Sequence, residues 1–81
     1  MIPTNDDIVR KVNAVLGVEY VKHIDIDDHD TYIVVKIHYD SVFFRHESES
    51  LNIFFGTHWS TISHRNEYMI IRYTIRKEGD S

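Results

Sequence analysis

The stretch His23-Ile24-Asp25-Ile26-Asp27-Asp28-His29-Asp30 gathers more potential metal ligands than any other part of the chain. In an extended backbone His23 and Asp25 project from the same side, which is the beginning of a divalent-cation site. The spacing of an EF-hand loop is not met. Counted from Asp25, the sixth position is Asp30 where glycine makes the sharp turn, and the twelfth is Lys36 in place of the bidentate glutamate. The six histidines, His23, His29, His38, His46, His58 and His64, include no pair at the i, i+4 spacing by which a helix aims two imidazoles at zinc. Aspartates favour turns because the carboxylate bonds to nearby backbone N–H groups. The segment therefore reads as a solvated acidic hairpin loop, with no metal and no cofactor expected.

Nucleophilic catalysis needs a hydroxyl or thiol, a base and a site for the developing oxyanion. Trp59-Ser60-Thr61-Ile62-Ser63-His64 places hydroxyls beside an imidazole, but no nucleophile elbow and no glycine-rich phosphate or oxyanion loop accompanies it. The chain has no cysteine, which removes thiol nucleophiles, disulfides, thiolate zinc sites and iron–sulfur ligation together. No enzymatic activity is expected.

Aromatic residues interleaved with cations on a sheet make a surface on which bases stack and phosphates pair. Tyr32, Lys36 and His38 in one extended run, with Tyr68, Arg72 and Arg76 in another, have that pattern. The formal charge of −4 opposes it, because phosphate neutralisation supplies most nucleic-acid affinity. The charge is uneven, however. Residues 1–30 hold seven acids and three bases, whereas 31–81 hold six of each, and Arg65, Arg72, Arg76 and Lys77 make the last extended run locally basic.

The elements that must position these groups are legible in part. Eighty-one residues at 42 % hydrophobic and 27 % charged specify one small domain, 1–81. Thr4 with Asp7 three residues later resembles a capping box; Ile8, Val12, Val15 and Leu16 form an apolar stripe, and Gly17 suits the left-handed end of a helix over 5–16. An extended run follows over 18–26, and the polar cluster 27–30 reads as a hairpin loop of four or five residues. Over 31–40, Ile33, Val35, Ile37 and Tyr39 share one face, with Tyr32, Val34, Lys36 and His38 on the other. Residues 41–60 fit two periods: Leu51, Phe54, Phe55 and His58 as a helix that Ser48 would cap, or Leu51, Ile53 and Phe55 as a strand. Gly56-Thr57 tilts the reading towards short strands or one irregular helix. A final strand spans 67–77, with Met69, Ile71, Tyr73 and Ile75 inward. The expected architecture is α+β, an N-terminal helix packed on a mainly antiparallel sheet of three to five strands.

Ile2-Pro3 before an acidic helix start, then Ile8-Val9-Arg10-Lys11-Val12, Leu16-Gly17-Val18, Val21, Ile24-Asp25-Ile26 and Tyr32 to Tyr39, resembles small viral proteins with an RNA-recognition-motif-like, ferredoxin-like core. The resemblance covers the first half of the chain. It implies the first helix and two central strands of a βαββαβ sandwich, with single-stranded nucleic acid stacked on the sheet. Only Tyr32 carries over from that family's strand-three signature, since Asp30-Thr31 stands for its basic-glycine pair and Val34 for its second stacking aromatic. Too few residues precede Asn5 for a first strand, which suggests a truncated αβββ sheet.

Two functions are expected. The first is a small non-enzymatic protein-binding module, a phage or virus inhibitor that engages a basic, nucleic-acid-binding surface of a host protein. Asp25, Asp27, Asp28 and Asp30 with Phe43, Phe44 and Trp59 would carry it. The alternative is a single-stranded nucleic-acid-binding domain using Tyr32, Lys36, Tyr68, Arg72 and Arg76. With no apolar run of about twenty residues and no basic–apolar leader at Met1, a cytoplasmic protein away from membranes is expected. An exposed edge strand in so small a sheet suggests a homodimer.

Overall fold

A computed structural model describes residues 3–56, 61–65 and 68–77. The order is α1 (Asn5–Leu16), β1 (Val21–Asp28), β2 (Tyr32–Tyr39), α2 (Arg45–Phe55), β3 (Thr61–Arg65) and β4 (Tyr68–Arg76), an α+β fold. Its four strands form one antiparallel sheet in the order β1-β2-β4-β3.

Helix α1 begins where the sequence places its cap. The Asp7 N–H donates to Thr4 Oγ1 at 3.1 Å and the Thr4 N–H donates to Asp7 Oδ2 at 3.2 Å, so two N-terminal donors are satisfied reciprocally. The backbone hydrogen bond from Thr4 is the main reason the Asp7 carboxyl lies below the usual aspartate range. Ile8, Val12 and Leu16 are buried along one stripe. Gly17 ends the helix at φ 94, with its N–H donating to Asn13 O, a backbone conformation that side chains resist.

The sheet is two-faced. Ile33, Val35, Ile37 and Tyr39 of β2 stand opposite Ile75, Tyr73, Ile71 and Met69 of β4. They share one core with Ile8, Val12 and Leu16 of α1 and Leu51 and Phe55 of α2. Both helices thus cover the same side, and among the described residues no helix covers the other. The Phe55 and Tyr73 rings meet at 4.6 Å, tilted by 37°. Tyr39 lies across the end of the core, its hydroxyl within 3.4 Å of the carbonyls of Leu16 and Val42, and burial pushes that hydroxyl's pKa up.

Three local expectations are corrected. Of the two periods that fit residues 41–60, the helical one is realised as α2, because Leu51 and Phe55, four apart, both reach the core while Ile53 is 82 % exposed. A strand would have put Ile53 on their side. Ser48 lies inside this helix rather than capping it; the cap is Phe44, whose N–H donates to Glu47 Oε1 at 3.0 Å. Gly56 ends the helix in the left-handed region at φ 71.

The first strand starts at Val21 and not Val18, because residues 18–20 form the turn that leaves α1. Asp27 and Asp28 belong to β1, paired opposite Val34 and Ile33, which shortens the hairpin loop to His29, Asp30 and Thr31. The His29 N–H closes that loop on Tyr32 O at 2.9 Å.

The helical assignment of α2 is testable by two neighbouring truncations. Leu51→Ala should lower unfolding free energy by about 2–5 kcal/mol, and Ile53→Ala should change it by less than about 0.5 kcal/mol, both read from urea denaturation. Equal losses at the two positions would contradict the helix.

Candidate functional site

The face without helices is assembled from alternate residues of all four strands. Its central strands present Tyr32, Val34, Lys36 and His38 from β2 and Tyr68, Ile70, Arg72, Thr74 and Arg76 from β4. Strand β1 adds His23, Asp25 and Asp27 along one edge, and β3 adds Thr61 and Ser63 along the other. Register aligns these into rows. One runs Asp25, Lys36, Arg72, Thr61; the next runs His23, His38, Ile70, Ser63; Tyr32 stands opposite Arg76 at the hairpin end.

The charges on this face are unevenly neutralised. His23 Nε2 lies 2.7 Å from Asp25 Oδ1 and His38 Nε2 lies 3.4 Å from Asp25 Oδ2. An ionised carboxylate only accepts, so each Nε2 facing it carries the hydrogen. The hydrogen bond from His23 is the leading cause that holds the Asp25 carboxyl below the usual range, with a smaller one from His38 acting the same way. Lys36, Arg72 and Arg76, by contrast, form no ion pair with another described residue. Lys36 and Arg72 are directly opposed across β2 and β4, an arrangement that costs free energy while nothing anionic lies between them.

At the hairpin end, Thr31, Tyr32, Arg72, Thr74 and Arg76 line an open groove of about 460 Å³. The Tyr32 ring stacks on His29 at 4.5 Å and 22°, giving a flat aromatic floor beside two guanidinium groups. At the far end Tyr68 leans on His38, ring centres 5.5 Å apart. All five residues that the sequence assigns to a nucleic-acid surface therefore lie on one face, Tyr32 and Lys36 on β2, and Tyr68, Arg72 and Arg76 on β4.

The residues assigned to a protein interface do not come together in this way. Asp25 and Asp27 lie on the helix-free face; Asp28, opposite Ile33, points to the other side, where the Lys77 ammonium bonds it; Asp30 is in the loop. Phe43 and Phe44 follow the opposite end of β2. Phe43 packs edge-on against Tyr39 at the margin of the core, while Phe44 is exposed and stacks on His46. Trp59 lies outside the described residues, as do Ser60 and His58. Ser63 and His64, adjacent on β3, project to opposite faces of the sheet.

The sequence reading missed an apolar end. Val18, Tyr20, Val42 and Phe44 are all exposed, and their two loops are joined by the Asp40 N–H donating to Tyr20 O at 2.9 Å and by Lys22–Asp40 at 3.5 Å. Beside them a recess of about 360 Å³ is lined by Tyr39, Asp40, Ser41, Val42, His64, Tyr68 and Met69. No periodic signal marks this end, because its members come from connections. The groove residues Thr31 and Thr74 were missed for a similar reason: small hydroxyls carry no pattern of their own.

Among the described residues no group of three or more histidine, aspartate or glutamate side chains is set to hold a metal ion, and no helix is long and apolar enough to cross a membrane. No family model, no curated protein and no solved structure matches the chain.

The Asp25 cluster gives a pH-dependence with a definite sign. A carboxyl depressed in the folded state contributes stability above the unfolded aspartate value and loses that contribution as pH falls through the folded one. Carbon-detected NMR should show Asp25 titrating below about 3.9, the free aspartate value. His23→Ala should move it up towards that value; an unmoved midpoint would exclude the hydrogen bond as the cause.

Proposed function

We propose that the helix-free sheet face is a binding surface for single-stranded nucleic acid. The observation that carries this reading is the set of three cations, Lys36, Arg72 and Arg76, left without an ion-pair partner among the described residues on a face whose central strands also present Tyr32 and Tyr68. Phosphates pair with the cations and relieve the Lys36–Arg72 repulsion, while bases stack on the tyrosine rings. Binding needs no covalent step, and no enzymatic role is part of the proposal.

The strand order supports the family resemblance from a direction the sequence did not suggest. Moving β4 to the front of the chain converts αββαββ into βαββαβ, with β4 in the central position of a first strand, next to β2. In that order β4 takes the place of the first strand. In an RNA-recognition-motif-like sheet the stacking aromatics lie on the two central strands, and Tyr32 and Tyr68 lie on β2 and β4.

A protein-binding role for the acidic hairpin is the second reading. It is favoured by Asp27 and Asp30, which form no ion pair with another described residue, and by the exposed Phe44 at the other end of the molecule. In that role the chain is a viral inhibitor in the host cytoplasm that covers a basic groove of its partner, with homodimer formation through an edge strand as a further element.

Fluorescence anisotropy with short labelled single strands over a salt series decides between them. Three phosphate contacts predict a slope of log K against log salt of about −2, and Arg72→Ala or Arg76→Ala should each weaken binding and flatten the slope by about 0.7. Asp27→Lys with Asp30→Lys should tighten oligonucleotide binding and abolish binding to a basic protein partner. Absence of oligonucleotide binding at low salt would exclude the first reading.

A further inference from the structure

Resting on the reading of the helix-free face as a nucleic-acid surface, we infer that the His23–Asp25–His38 cluster is a second phosphate-binding row, formed when its imidazoles take up protons. The geometry is a shared carboxylate. Asp25 accepts from His23 through one oxygen at 2.7 Å and lies 3.4 Å from His38 through the other, and the two imidazole rings meet edge-on at 5.5 Å. His38 is only 19 % exposed and lies in the middle of the face, whereas His23 is on the outer strand and 61 % exposed.

The charge arithmetic follows from this arrangement. With both rings neutral the cluster carries −1 from Asp25; with both protonated it carries +1. Histidine is the side chain whose charge changes between pH 5 and 8. Asp25, held below the usual aspartate range, stays ionised throughout that interval and keeps both imidazoles oriented. The groups facing the cluster are Asp27 on β1, Lys36 on β2, Tyr68 and Arg72 on β4, and Ser63 on β3; among the described residues no helix packs on this side. Protonation therefore extends the cationic strip of Lys36 and Arg72 sideways onto β1, and the ligand it recruits is a phosphodiester. The half-buried Tyr68 ring beside His38 supplies a surface for the adjoining base.

The test is anisotropy with a short labelled oligothymidylate at several salt concentrations, at about pH 7.5 and about pH 5.5. In the wild type the salt slope should steepen from about −2 towards about −3.5 as two further cations engage phosphate. The double variant His23→Gln, His38→Gln should keep the shallower slope at both pH values, while His46→Gln, on the helical side, behaves as wild type. Calorimetry in two buffers of different ionisation heat is the independent readout: at about pH 6.5 wild-type binding should take up protons and the double variant should take up fewer. Urea midpoints at pH 7.5 verify that the variants fold. No oligonucleotide binding at any pH would overturn the parent reading. Binding with a pH-independent slope, or steepening that persists in the double variant, would overturn this inference alone.

Discussion

The pairing of β2 with β4 is the constraint on which the rest of the molecule depends. Val35 opposite Tyr73 and Ile37 opposite Ile71 are almost completely removed from water on one side of the sheet. Because side chains alternate with a period of two, burying that row fixes every other residue of both strands on the opposite side, and a slip of one residue would invert the whole arrangement. The helices complete the same row: Ile8, Val12 and Leu16 from α1 and Leu51 and Phe55 from α2. Lys36, Arg72, Tyr32 and Arg76 are thereby brought into line by the burial of their neighbours, with no direct bond between them.

That arrangement also reconciles an acidic chain with a cationic face. The net charge of −4 equals the surplus of acids in residues 1–30, and three of the seven acids there have local partners: Asp7 with the α1 cap and Arg10, Asp25 with two imidazoles, Asp28 with Lys77. Lys36, Arg72 and Arg76 on the central strands have no such partner among the described residues. Electrostatic recognition at a surface depends on local potential over about a Debye length, roughly 8–10 Å in physiological salt, so net charge is a poor guide to what one face of a small domain attracts.

The parts of the fold that were legible share one property, a strong and unopposed local signal. Thr4 with Asp7, the stripe from Ile8 to Leu16 and Gly17 define α1 with the bounds the sequence suggests. The alternation from Ile33 to Tyr39 and from Met69 to Ile75 assigns both faces of the central strands. Residues 51–55 carried two compatible periods, and the choice was made by the core: Leu51 and Phe55 find Tyr73 and α1 only if the chain is helical. The acidic segment misled in the opposite sense, since turn-forming Asp27 and Asp28 are held in β1 by pairing with Val34 and Ile33, a case of tertiary pairing overriding local preference.

By itself, the sequence determined the class of fold, the first helix, the inward and outward rows of the two central strands and the absence of cysteine chemistry, because each depends on residue type and short-range spacing. Which strands are neighbours was decided only by tertiary structure. Placing β4 between β2 and β3 opposes Lys36 to Arg72 and Tyr32 to Arg76, and pairing β1 with β2 closes His23, Asp25 and His38 into one cluster. These groups come from different strands, and only the burial of a shared apolar face supplies the free energy that brings the strands together.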